Sequence, residues 1–122
     1  MKSSLVRSVS AVAVLAAFAF APLAFANPFG GAISGVSRAP AFGARVHAII
    51  YNGGERADFT VAGDGDTTLN VIVKNSYGDV ITRTSGPGDQ CHVFWYPSST
   101  ATYYIYVVNE GSVYNEYRWR AF

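Results

Sequence analysis

Past residue 43 the chain is a succession of short β-branched and aromatic runs cut apart by turn residues, and none of these runs carries a helical period. Seven can be delimited, at 45–51, 56–61, 68–74, 80–84, 90–96, 102–108 and 115–120. Recurrence every 8 to 12 residues or so, with a turn between neighbours, predicts an all-β chain folded as an antiparallel two-sheet β-sandwich. The connections supply residues that accept positive φ or preset a turn: Asn52-Gly53-Gly54, Gly63-Asp64-Gly65-Asp66, Ser85-Gly86-Pro87-Gly88-Asp89 and Asn109-Glu110-Gly111-Ser112. Ser76-Tyr77-Gly78-Asp79 is short enough to close a hairpin.

Strand alternation sorts side chains into faces. Ala57, Phe59 and Val61 share one face, with Asp58 and Thr60 opposite; Leu69, Val71 and Val73 share another, with Asn70 and Lys74 opposite. Those two strands read as half buried. The later ones are apolar on both sides: Cys91, Val93 and Trp95 alternate with His92, Phe94 and Tyr96, and Tyr103, Ile105 and Val107 with Tyr104, Tyr106 and Val108. Only one face of each sheet can meet the other sheet. Either Phe94 and Tyr96 or Val93 and Trp95 therefore point outward, unless a loop or the segment 27–43 covers them.

The first 26 residues read differently. Lys2 and Arg7 precede an apolar run at 11–21 that ends in Ala24-Phe25-Ala26. This is the pattern of a secretory signal peptide, too short to span a bilayer and offering small residues to signal peptidase, with cleavage expected after Ala26. The expected product is secreted, periplasmic or extracellular, without membrane insertion once the signal is cleaved. Residues 27–43 are rich in Gly, Ala, Pro and Ser without a period, a flexible leader or a loosely attached first strand ahead of a sandwich domain at 44–122.

Without residues 1–26 the 122-residue chain keeps 96 residues, enough for one domain with a modest core. Two of its nine basic residues leave with that segment, so seven face eight acidic ones, a net charge of −1. That balance offers nothing to nucleic acid. The single cysteine, Cys91, cannot make an internal disulfide, so stability must come from packing.

Several stretches together resemble a known family: Gly53-Gly54-Glu55-Arg56-Ala57, Gly63-Asp64-Gly65-Asp66-Thr67, Tyr77-Gly78-Asp79-Val80-Ile81, Cys91 with Trp95 and Pro97, Tyr104-Ile105-Tyr106-Val107 with Asn109 and Gly111, and Tyr114-Asn115-Glu116-Tyr117. They resemble the bacterial pre-peptidase C-terminal domain, and in particular its small stand-alone secreted relatives. The resemblance runs from Gly53 to about Arg120 and rests on turns and core aromatics. It implies a jelly-roll-like sandwich of about seven to eight strands, not an enzyme, that aids secretion or binds a surface or substrate. Thr68 and Asn70 stand where the family carries more Asp.

Candidate sites follow from residue type. Asp64 and Asp66, with Asn70 and Asp89, can offer oxygens to calcium, although the loop lacks the third acidic position and closing Glu of an EF-hand; its other reading is a tight turn with Asp capping backbone amides. No other cofactor is expected. Phe94, Tyr96, Tyr104, Tyr106 and Phe122 on one sheet face would form a platform for sugar rings, making the chain a carbohydrate-binding module with a polysaccharide or cell-surface protein as partner. Arg118 and Arg120 should line the solvent side of the last strand, to protect an edge or to meet an anionic partner. Asn109 and Asn115 should hold loop backbone. A small hydrolase is the third function class. It lacks an assembled nucleophile and base, because Cys91 and His92 point to opposite faces and Ser98, Ser99 and Thr100 lie in a turn without a nucleophile elbow. His47 and His92 show no metal-ligand spacing.

Overall fold

The computed structural model describes residues 27–122; the signal-peptide reading of residues 1–26 lies outside them. Eight strands form in order, β1 (Ile33–Ala39), β2 (Ala44–Tyr51), β3 (Ala57–Ala62), β4 (Leu69–Lys74), β5 (Val80–Arg83), β6 (Gln90–Trp95), β7 (Ala101–Asn109) and β8 (Asn115–Ala121). They make two antiparallel four-stranded sheets with orders β1-β8-β3-β6 and β2-β7-β4-β5. This is the two-Greek-key arrangement of a jelly roll, in which most connections cross from one sheet to the other. The one sequence-adjacent pair within a sheet, β4 and β5, is the hairpin closed by the Ser76–Asp79 stretch, with a register shift at Val73 and Lys74. Asn75 Oδ1 shapes that turn by accepting from Tyr77 N (2.9 Å) and Asp79 N (3.0 Å).

Residues 33–39 form a full strand: β1 pairs with β8 from Ile33↔Ala121 to Ala39↔Asn115. Gly35 allows the Trp119 indole to lie across it, since a Cβ there would come within 3.0 Å of Trp119 Nε1. That ring also stacks on Phe59 at 5.8 Å and 17°. Every other residue of each strand points into the space between the sheets. Tyr51, Phe59, Leu69, Val71, Val73, Ile105, Val107 and Tyr117 are almost fully buried there, joined by Val93 and Trp95. The Tyr51 hydroxyl donates to Asp58 O at 2.9 Å, and burial pushes its pKa up.

His47 is the one imidazole turned inward. It is half-buried against Trp119 (4.7 Å between ring centroids) and Phe59 (5.6 Å), and its Nε2 lies 2.7 Å from the Tyr117 hydroxyl. Burial, with the nearby Arg45 charge, lowers its pKa from 6.5 to about 4; burial likewise raises that of Tyr117 to about 12. The unfolded chain therefore takes up a proton on this imidazole at higher pH than the folded one. Its contribution to stability is complete above pH 6.5, and is lost as pH falls from about 6.5 to about 4 with a slope of at most about 1.4 kcal/mol per pH unit. Urea unfolding between pH 7 and 4.5 should show that loss, and His47→Gln should flatten it; equal slopes in the two proteins would remove His47 as its source.

Candidate functional site

With the inward faces committed to the core, function has the two outward faces and the loops. The outward face of the β2-β7-β4-β5 sheet carries exposed Val46 and Ile50, half-buried Ile72, Tyr104 and Tyr106, and few charges. Lys74 Nζ lies 4.8 Å above the Tyr106 ring. The outward face of the β1-β8-β3-β6 sheet carries Phe94 and Tyr96, 48% and 67% exposed, on the side opposite buried Val93 and Trp95. The expected five-residue aromatic platform is thereby corrected. β6 and β7 are consecutive in sequence but belong to different sheets, so Phe94 and Tyr96 face away from Tyr104 and Tyr106 across the sandwich. Phe122 goes with the first pair. Its backbone exchanges hydrogen bonds with Asp58, and the Arg120 guanidinium covers its ring at 4.9 Å.

On that first face the register lays down rows across the strands. Phe122, Asp58 and Phe94 form one row, Arg120, Thr60 and His92 the next, and Arg118, Ala62 and Gln90 the third. Asp58 is nearly buried and shared: Oδ1 lies 2.7 Å from His92 Nε2, while Arg56 donates from Nη2 to Oδ1 and from Nε to Oδ2, both at 3.1 Å. Arg56 lies over the Phe94 ring at 4.2 Å. The neighbouring contacts, His92 to Phe94 at 6.1 Å and Phe94 to Tyr96 at 6.4 Å, make β6 a continuous row of rings. Because Thr60 and Ala62 are short and their neighbours on β8 and β6 are long, the middle of the face sinks. The result is an open depression of about 380 Å³ edged by Gln90, His92, Arg118 and Arg120, with Val61, Cys91 and Trp119 beneath.

A hydroxyl, an imidazole and a carboxylate thus share one patch, in Thr60, His92 and Asp58. The remaining parts of an acyl-transfer site do not accompany them: Arg56 already claims the carboxylate, and strand amides lie in the plane of the sheet, not aimed at a reacting oxygen above its face. Cys91 is on the opposite side of β6 from His92, half-buried, with its thiol donating to Leu69 O at 3.1 Å; burial pushes its pKa up. Arg118 and Arg120 are also corrected in one respect. β8 lies between β1 and β3, so they guard no edge. Neither has a carboxylate partner among the described residues, whereas Arg38 pairs with Glu116 at 3.2 Å and Arg56 with Asp58.

The aspartate loop lies at one end of the sandwich. Asp64 Oδ1 accepts from Asp66 N and Oδ2 from Glu116 N, both at 3.0 Å. Asp89 Oδ2 accepts from Gly65 N at 2.7 Å and Asn115 Nδ2 at 3.1 Å, and Oδ1 from Gln90 Nε2 at 3.3 Å. Burial alone would raise the Asp89 pKa, but these hydrogen bonds outweigh it and hold it below the usual carboxylate value. Asn70 is directed elsewhere, donating to Glu110 Oε2 and accepting from Thr84 Oγ1. Among the described residues no three His, Cys, Asp or Glu side chains converge as metal ligands. Gly63 fits this loop because a Cβ would fall 2.2 Å from Asp89 Oδ2.

Comparison with solved structures places this architecture. The pre-peptidase C-terminal domain of the collagenase from Bacillus anthracis matches it with a TM-score of 0.55, over 74% of this chain and 90% of that one, at 11% identity. The chain folds like a pre-peptidase C-terminal domain. No family model matches the sequence, and no curated protein does. An identity of 11% carries the fold and leaves the site to be argued from this chain's own residues. In this pre-peptidase C-terminal fold Asp64 and Asp89 work as caps on backbone amides. Asp89→Ala should destabilise by roughly 1–3 kcal/mol for each buried donor left unpaired, and Asp66→Ala, whose carboxylate accepts none of these bonds, by under about 0.5 kcal/mol. Thermal unfolding would read both. The midpoint is expected to be equal in calcium and in chelator, and an upward shift in calcium that Asp64→Ala removes would instead put a cation in the loop.

Proposed function

We propose that this chain is an exported, non-catalytic binding module, and that it binds through the outward face of the β1-β8-β3-β6 sheet. The observation that carries the reading is the row His92, Phe94 and Tyr96, with large aromatic area exposed beside the depression. Exposed rings on a rigid sheet offer a surface on which sugar rings or a partner's apolar groups can stack, at little entropic cost to the protein. The expected signal sequence at residues 1–26 supports export. The non-catalytic part of the reading is supported by the fold likeness to a domain of a collagenase and by the incomplete constellation around His92. A polysaccharide is the partner favoured by a flat, open, ring-lined face, ahead of a cell-surface protein.

The two faces make the reading easy to separate from its nearest competitor, binding through Tyr104 and Tyr106. Retention on insoluble cellulose, chitin and bacterial cell wall should be lost in Phe94→Ala and Tyr96→Ala and kept in Tyr104→Ala and Tyr106→Ala, with thermal midpoints showing all four folded. The reverse pattern would move the binding surface to the β2-β7-β4-β5 sheet.

A further inference from the structure

The two arginines of β8 remain unexplained by packing. Arg118 and Arg120 occupy alternate positions of an interior strand, so both project from the same face about 7 Å apart along the chain. Four arginines on or beside this face, at positions 38, 56, 118 and 120, meet two carboxylates, Asp58 and Glu116. Both carboxylates are already engaged by Arg56 and Arg38. Arg118 and Arg120 therefore carry positive charge without an ion-pair partner, in a stretch, residues 27–122, whose seven basic and eight acidic residues sum to −1. Both stand on one side of the depression. Opposite them, across the short side chains of Thr60 and Ala62, stand Gln90 and His92, and from His92 the row of rings leads to Phe94 and Tyr96.

From this arrangement we infer that the depression receives the carboxylate of an acidic sugar, a uronic acid residue within an anionic polysaccharide. The inference rests on the binding face proposed above and adds the chemistry of its ligand. Guanidinium groups match a carboxylate with two parallel N–H donors each, and here they have no internal partner to leave. Phe122 fixes the Arg120 plane from below. Thr60, Gln90 and His92 present a hydroxyl, an amide and an imidazole to ring hydroxyls on the far side, and the short side chains of Thr60 and Ala62 leave room for the sugar ring between the two rows. The next sugar along the chain then lies against Phe94 and Tyr96. A phosphate or a lone acid would use the arginines and leave the rings idle; a carboxylated sugar polymer uses both.

Calorimetric titration of the purified protein with oligogalacturonate tests this, with its methyl ester and poly-glutamate as the comparison ligands. The acid oligomer should bind, more weakly as salt rises, and the uncharged ester should not. Arg118→Gln and Arg120→Gln should each weaken binding about tenfold at an unchanged unfolding midpoint, and Arg120→Lys, which keeps the charge without the planar fork, should fall between. Equal binding of acid and ester, no binding of the acid oligomer, or wild-type affinity in the arginine variants overturns the inference. Equal or tighter binding of poly-glutamate also overturns it, by making the ligand an acidic polypeptide. Loss in Phe94→Ala and Tyr96→Ala without loss in the arginine variants would leave the binding face standing and remove the acidic sugar; indifference to both sets would remove both.

Discussion

A sandwich with no disulfide must close its ends by other means, and here buried side-chain amides and one carboxylate do so. Asn115 donates from Nδ2 to Asp89 Oδ2 and Thr67 Oγ1 and accepts from Asp64 N through Oδ1. Asn109 donates to Ala39 O and Val113 O and accepts from Gly111 N. Each joins loops that sequence keeps far apart, and each is at most 1% exposed. Buried polar groups so satisfied hold geometry more than they add net stability, because any single loss strands its partners. The β3–β4 loop and the starts of β6 and β8 are located by this cluster. The positions of His92 on β6 and Arg118 on β8, and so the shape of the depression between them, follow from it.

The same economy explains why the two outward faces differ. Strand alternation commits one side of every strand to the core, leaving the other free of packing demands. On the β2-β7-β4-β5 sheet that freedom is spent on aliphatic and tyrosine side chains, half-covered by their neighbours and by Lys74. On the β1-β8-β3-β6 sheet it is spent on guanidinium, imidazole and aromatic groups held by Asp58 and by ring contacts. Rigidity beneath and chemical variety above is the combination that lets a small β domain recognise something without moving parts.

The fold was largely legible because period-two alternation and turn residues are local signals. The inward sets Ala57-Phe59-Val61 and Leu69-Val71-Val73 could be read directly and are buried. What one sequence does not hold is which strands are neighbours. Phe94 and Tyr104 lie only ten positions apart, and a crossing between sheets at Tyr96–Thr100 puts them on opposite sides. Arg118 and Arg120 looked like edge guards because β8 is last in sequence, yet it is interior in space. The roles of Asp58, Thr60 and Gln90 are illegible for the same reason: they arise from the β3–β6 register, across 30-odd residues of chain. The alternate reading of the aspartate loop, as a capped turn, was available from Gly63-Asp64-Gly65-Asp66 alone, but the buried partner Asp89 that completes it was visible only as a fourth oxygen.

Cys91 sits at the base of this face with its proton committed to the Leu69 carbonyl and its thiolate form disfavoured by burial. Thiol exchange proceeds through the thiolate, so a sulfur held this way reacts slowly with disulfides that approach it. An odd cysteine ordinarily condemns a protein in an oxidising environment to mixed disulfides and covalent dimers. Here the fold itself shields the thiol, so the one unpaired sulfur of this chain is slow to exchange whatever disulfides surround it.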